Sequence, residues 1–102
     1  MSIQGLQILK ALSNESRLQI LQWLKDPEAH FEPQVDGDLV KDGVCSGRIA
    51  DKLGISAPAL SAHMKLLTDT GLVRGAKIKG WVFYKREDAQ IAKALADISD
   101  TI

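Results

Sequence analysis

Hydrophobic residues recur at helical spacing along much of the chain and nowhere form one long continuous run. Leu60, Met64 and Leu67 lie at positions i, i+4 and i+7, and Ile49 and Leu53 belong to a shorter set before them. Because such spacing gives a helix one apolar face, the pattern predicts a mainly α-helical fold. Further helices are predicted close to residues 3–12, 13–25 and 87–102.

Residues 46–71 are predicted to form two helices joined by a short turn. Gly54 stands where a left-handed, helix-ending residue is expected, and Ser56 can cap the free amides of the second helix. Pro58 falls in the first turn of that helix, where its missing N–H costs nothing, and Gly71 ends it. Two helices of this length joined by a turn of about four residues are typical of a helix-turn-helix, a motif that binds duplex DNA.

A basic β-hairpin is predicted over residues 72–85. Residues 72–77 and 81–85 are rich in β-branched, aromatic and basic side chains, and residues 78–80 are expected to join them. Basic side chains at such a tip are placed to neutralise phosphates or to enter a minor groove. The alternative is a solvated strand edge that lysines protect from pairing with other chains.

The candidate DNA-contacting residues lie on the second helix, opposite its apolar face, and on the hairpin. They are Ser56, Ala57, Pro58, Ser61, Ala62, His63, Lys65, Arg74, Lys77 and Lys79. Positions 57, 58 and 62 carry side chains that can touch thymine methyl groups but cannot form bidentate hydrogen bonds to bases. Sequence specificity is therefore expected to depend on Ser61, Lys65 and DNA shape.

Three segments resemble the ArsR-type (arsenical-resistance regulator) winged-helix repressors of bacteria. They are ALSNESRLQILQWL at residues 11–24, SAPALSAHMKLLTDTGLV at 56–73 and GWVFYKR at 80–86, similar to the family's early helix, recognition helix and second wing strand. The resemblance implies a mainly α winged helix-turn-helix with a small β-hairpin, dimerised through its first and last helices. It also implies a homodimeric repressor that binds an inverted-repeat operator in double-stranded DNA and answers to an unknown effector.

Apolar residues on the two terminal helices are the candidate dimer interface. Ile91, Leu95, Ile98 and Ile102 repeat at i, i+4, i+7 and i+11, which gives the last helix a single stripe. Such a stripe could simply pack on its own domain. The resemblance instead implies a two-fold interface between first and last helices, and a small core would gain from the added burial. The residues expected there are Leu6, Leu9, Ile91, Leu95, Ile98 and Ile102.

Length and charge are those of a small regulator. The 102 residues indicate one domain, 1–102, and neither a membrane span nor a signal peptide is recognisable, so a cytoplasmic protein without membrane contact is expected. Although the net charge is zero, acidic and basic residues are concentrated in different segments of the chain. Residues 26–43 carry six acidic and one basic side chain, whereas residues 44–86 carry eight basic and two acidic ones. The positive block coincides with the predicted helix-turn-helix and hairpin.

Residues 26–43 form a predicted acidic insertion, longer than related proteins usually have between the second helix and the helix-turn-helix. Two prolines, two glycines and six carboxylates argue against a regular helix. Phe31, Val35, Leu39 and Val40 are expected to pin this loop to the body. The loop is interpreted either as an ordered decoration or as an effector or partner surface.

No metal site, cofactor or catalytic centre is predicted. Many relatives bind metal through a CxC pair at the start of the helix-turn-helix, but here Gly47 stands where the second cysteine would be, and the last helix has no histidine. A site or redox switch built from Cys45, His30 and loop carboxylates such as Asp36 and Asp38 is the alternative, and a small buried residue is the favoured role of Cys45. The remaining alternative is a winged-helix protein-interaction module. No phosphate-binding glycine loop or nucleophile elbow is present, so an enzyme is not expected.

Overall fold

The computed structural model describes residues 3–102, with side chains from Gly5 onwards; the first two residues of the predicted domain lie outside this range. Within it, helices and strands follow in the order α1 (Ile3–Leu12), α2 (Glu15–Lys25), β1 (Val44–Cys45), α3 (Ser46–Leu53), α4 (Ala57–Asp69), β2 (Val73–Ile78), β3 (Trp81–Arg86) and α5 (Asp88–Thr101). One 3-10 turn, Pro27–Ala29, follows α2. The mainly helical prediction is confirmed, and no helix in the described range is both long and apolar enough to cross a membrane.

The two helices of the helix-turn-helix begin and end at the predicted residues. Gly54 has a φ of 73° after α3, and Ser56 caps α4 by accepting a 3.3 Å hydrogen bond from the backbone N–H of Ala59. Gly71, with a φ of 75°, follows the end of α4, and the N–H of Leu72 donates to the carbonyl of Leu67 at 3.0 Å. Both glycines adopt the left-handed conformation in which the chain can leave a helix abruptly.

The sheet has three antiparallel strands in the order β1-β3-β2. β2 and β3 pair from Val73–Arg86 to Ile78–Trp81, so the turn contains only Lys79 and Gly80. The predicted three-residue connection was one residue too long. Lys79 and Gly80 have φ values of 52° and 85°, as a two-residue type I′ turn requires. β1, which pairs with the middle of β3, was not predicted from the sequence.

The core lies between α2, α3, α4 and the sheet, with α1 and α5 packed at one side. Leu60, Met64 and Leu67 are at most 2% exposed, which confirms the predicted apolar face of α4. Burying a side chain of this size contributes about 1.5–3 kcal/mol. These contacts hold α4 against the body and leave its opposite face free.

The predicted interface stripe is divided in the structure. Ile98 is buried within the chain, and Leu9 and Ile91 pack partly against the core, so these three residues stabilise the single chain. Leu6, Leu95 and Ile102 stay 50%, 52% and 89% exposed. The prediction missed that Ala94 is buried one turn before Ile98, which turns this side of α5 inward.

Polar contacts order most of the acidic insertion. Leu39 is buried and Phe31 packs edge-to-face on Trp23 with ring centroids 6.0 Å apart, but Val35 is 98% exposed and Val40 is 49% exposed. The prediction that all four apolar residues pin the loop was therefore wrong for the two valines. Hydrogen bonds between backbone groups and side chains hold the loop where the valines were expected to do so.

Gln34 closes this loop on itself. Its Nε2 donates to the carbonyls of Gly37 and Gly43 at 3.3 and 3.0 Å, and its Oε1 accepts from the N–H of Cys45 at 2.7 Å. An acidic side chain, Asp38, accepts the N–H groups of the next turn. Since these backbone groups are satisfied locally, the segment is ordered without a large apolar contact.

Candidate nucleic-acid interface

The free face of α4 is small, polar and uncovered. Six of the predicted DNA-contacting residues are exposed on it or at its start: Ser56, Ala57, Pro58, Ser61, Ala62 and Lys65. The Lys65 ammonium lies 3.0 Å from the carboxylate of Asp69, one turn further along, with both side chains more than half exposed. Such a pair is worth about 0–1 kcal/mol, so Lys65 can exchange it for a phosphate or a base.

His63 lies elsewhere. Its ring is half-buried on the flank of α4, and Nδ1 is 3.0 Å from the Nη1 of Arg17 on α2. Burial of the ring, followed by the nearby Arg17 charge, lowers the pKa of His63 below its usual value. The structure therefore separates His63 from the fully exposed candidates.

Arg17 was missed by the residue-by-residue reading of the sequence. Its Nε donates to the carbonyl of Ala11 at 2.7 Å and its Nη2 to that of Lys10 at 3.0 Å, so it also occupies the end of α1. Helical spacing places Arg17 on a partly exposed side of α2, and nothing in that spacing reveals contacts with two other helices. The one feature of the sequence that could have drawn attention to Arg17 is its place inside the segment at residues 11–24, which resembles the family's early helix.

The hairpin carries the remaining basic candidates, and Arg74, Lys77 and Lys79 are all exposed. Arg74 pairs with Glu87 at 3.3 Å, whereas Lys77 has no ion-pair partner among residues 3–102. Side chains alternate along a strand, so Arg74 and Lys77 lie on opposite faces of β2. The structure therefore does not bring the three cations together. Lys77 and the turn residue Lys79 are the two of them that lie nearest the hairpin tip.

The acidic insertion lies against this tip. The Asp36 carboxylate is 3.1 Å from the Lys79 ammonium, and Lys85 reaches the carbonyl of Lys41 at 3.4 Å. On the α3 side, the Arg48 guanidinium donates to the carbonyls of Glu32 and Pro33 at 3.0 and 3.2 Å. The loop is thus in contact with both the helix-turn-helix and the hairpin.

A cavity of about 290 Å³ separates the loop from α3 and β3, with Arg48, Trp81 and Phe83 in its walls. Cys45 also lines it; its thiol is free and half-buried, less enclosed than the predicted small buried residue. Across the described part of the chain, no three or more His, Cys, Asp or Glu side chains are grouped to hold a metal ion.

The arrangement of α3, α4 and the hairpin is shared with known proteins. A family model described as winged helix-turn-helix DNA-binding matches residues 39–74. The chain is 42% identical over 99 residues to the uncharacterised HTH-type transcriptional regulator YbzH of Bacillus subtilis, covering 97% of this chain and 98% of that protein. It is 32% identical over 97 residues to the transcriptional activator HlyU of Vibrio cholerae, covering 95% of this chain and 75% of HlyU.

One solved structure bears on assembly. The solution structure of the homodimeric winged helix-turn-helix domain of Mb0332 from Mycobacterium bovis, described as a possible ArsR-family regulator, superposes with a TM-score of 0.62 at 27% identity. The alignment covers 96% of this chain and 79% of that one. DNA-binding transcriptional regulation is not an enzyme class. The chain belongs to the winged helix-turn-helix transcriptional regulators, and its fold is shared with solved ArsR-family regulators.

Proposed function

We propose that this regulator binds an inverted-repeat operator as a homodimer, with α4 of each protomer in the major groove, and that it represses by covering a promoter. The observation that supports this best is the free face of α4. It is exposed from Ser56 to Lys65 while the opposite face is locked into the core, which is how a recognition helix is presented to a groove.

Specific contacts are assigned from side-chain chemistry. Ser61 and Lys65 are the side chains in the middle of the exposed face that can hydrogen-bond to base edges, while Ala57, Pro58 and Ala62 offer apolar contact with thymine methyl groups. Lys77 and Lys79 at the hairpin tip neutralise phosphates on the flanking backbone. His63 adds a contact with DNA from the flank of α4.

Homodimerisation is proposed through the uncovered apolar residues of the terminal helices. Leu6, Leu95 and Ile102 expose large side chains next to the contact between α1 and α5. The homodimeric Mb0332 domain supports this assembly by similarity. A two-fold dimer presents two copies of α4, so the operator is expected to contain two half-sites about one or two helical turns apart.

Selection of bound sequences from a random duplex pool tests the proposal directly. The expected result is a palindrome with that half-site spacing; recovery of no common sequence would contradict operator binding. Repression is tested separately by a reporter placed behind the recovered operator. Rising reporter output when the regulator is added would instead indicate activation.

The hairpin contact is tested with paired charge variants. Changing Lys77 and Lys79 to Ala should weaken binding to all sequences and flatten the dependence of log affinity on log salt by up to about two units. Changing Lys25 and Lys93 to Ala removes the same charge from exposed positions outside the hairpin and helix-turn-helix. Equal effects of the two pairs would remove the hairpin from the interface.

A further inference from the structure

The guanidinium of Arg17 joins three helices. Its Nε and Nη2 donate to the last carbonyls of α1, at Ala11 and Lys10, while its Nη1 contacts Nδ1 of His63 on α4. Arg17 itself lies on α2, where its backbone N–H is held by the capping side chain of Asn14 at 3.1 Å. Arg17 is thus held at its backbone by Asn14 and at its guanidinium by the α1 carbonyls, and its Nη1 reaches the flank of the proposed recognition helix.

This contact determines which ring nitrogen of His63 carries the proton. Arginine has only donor groups, so Nδ1 must accept, and the proton of the neutral ring resides on Nε2. No hydrogen bond connects Nε2 to any side chain or backbone atom of residues 3–102. Among the described side chains no fully buried nitrogen or oxygen lacks a partner, so the unpartnered Nε2 is accessible to solvent.

We propose that Arg17 is a positioning residue for DNA binding: it holds His63 neutral with Nε2–H directed outward, where it donates a hydrogen bond to a backbone phosphate. The inference rests on the proposed operator binding and names a further contact within it. A flank position of a recognition helix faces the wall of the groove, where phosphates pass, rather than the base edges. A neutral donor adds affinity there without releasing a counterion, so it acts differently from Lys77 or Lys79.

The first test is the tautomer of His63 in the free protein, measured by long-range ¹H–¹⁵N correlation of the imidazole nitrogens. We expect one neutral tautomer, with the proton on Nε2, and the His63→Asn variant assigns the signals. Arg17→Lys keeps the charge but cannot reach the α1 carbonyls and Nδ1 together, so it should give a mixture of tautomers. A proton on Nδ1 in the parent protein would overturn the proposal.

Arg48→Lys is the matched control for this measurement. Arg48 also donates to two backbone carbonyls, those of Glu32 and Pro33, but has no hydrogen bond to a histidine. It should leave the tautomer of His63 unchanged. A mixture of tautomers in this variant as well would mean that the ring responds to general loosening rather than to Arg17, which also overturns the proposal.

The second test uses operator affinity. His63→Asn removes the outer donor and should weaken binding about tenfold, whereas His63→Gln, whose amide nitrogen reaches the place of Nε2, should stay within about threefold of the parent. The slope of log affinity against log salt should be the same in all three proteins. Equal losses in the two variants, or no loss in either, would overturn the phosphate contact.

A double-mutant cycle separates positioning from structural support. Arg17→Lys alone should weaken operator binding about three- to tenfold, but in the His63→Asn background it should change affinity by less than about twofold. Losses that multiply would show that Arg17 acts independently of His63. Should the parent protein select no operator, the proposed function fails, while the tautomer measurement still decides whether Arg17 orients the ring. If Arg17→Lys does not fold, the parent tautomer and the Asn and Gln variants decide the inference.

Discussion

If Lys79 contacts phosphate as proposed, changing Asp36 to Asn should strengthen DNA binding, because the Asp36 carboxylate would compete with phosphate for the Lys79 ammonium. The two side chains lie 3.1 Å apart at the hairpin tip, with Lys79 74% and Asp36 34% exposed. An ion pair in such a wet position is worth about 0.2–1 kcal/mol, which DNA must displace to engage Lys79. Removing the carboxylate should therefore raise affinity about 1.4- to 5-fold, with the gain fading at high salt.

Fluorescence anisotropy with a labelled operator measures this effect against two controls. Glu28→Gln removes an equal charge from an exposed position in the same insertion that has no ion-pair partner in the described chain, so it reports general repulsion. In the Lys79→Ala background, Asp36→Asn should give no more than the Glu28→Gln gain. The reasoning is refuted if Asp36→Asn and Glu28→Gln strengthen binding equally, or if the extra gain survives without Lys79.

Three further outcomes are expected. Leu95→Glu should give a folded monomer in sedimentation, since Leu95 is 52% exposed in the single chain. Ala96→Glu, at an exposed position beside the apolar stripe, should remain dimeric, and a Leu95→Glu dimer would show that this surface is not the interface. Gly43→Ala should lower unfolding free energy by about 1–3 kcal/mol in urea titrations, because φ is 103° and the new Cβ would overlap the carbonyl of Tyr84. Gly47→Ala, whose Cβ meets open space, should cost little. Burial and Arg17 lower the pKa of His63 below 6.5, so the unfolded chain binds the extra proton and stability should fall as pH drops through and below that value. The fall between about pH 7.5 and about pH 5.5 should be smaller in His63→Asn, and an unchanged fall would show that His63 does not contribute.

The helix-turn-helix was predictable because its signals are local. Gly54, Ser56 and Gly71 each act within a few residues of where they stand, and the apolar spacing of α4 directly gave its buried face. The hairpin was predictable for the same reason, apart from Ile78. A two-residue turn that has lysine at its first left-handed position lacks the usual Asn-Gly or Asp-Gly signal.

The remaining features depend on contacts between residues far apart in the chain. β1 is only two residues long and exists because β3 pairs with it, and the hydrogen bond from Arg17 to His63 spans 46 positions. Periodicity carries no information about either. The apolar stripe of α5 could not be assigned for the same reason. Which of its residues pack inward and which stay exposed depends on how α1 lies beside α5.

The backbone conformation of the turn residue Lys79 sets its stability against the phosphate contact proposed for it. A side chain with a Cβ pays about 1 kcal/mol to adopt a left-handed backbone, and glycine or asparagine would sit at a φ of 52° with less strain. Selection for thermal stability alone would therefore favour glycine or asparagine at this position. Variants evolved in the laboratory for heat resistance are expected to lose this cation and, with it, the phosphate contact proposed for Lys79. Their stability should then rise while their affinity for DNA falls.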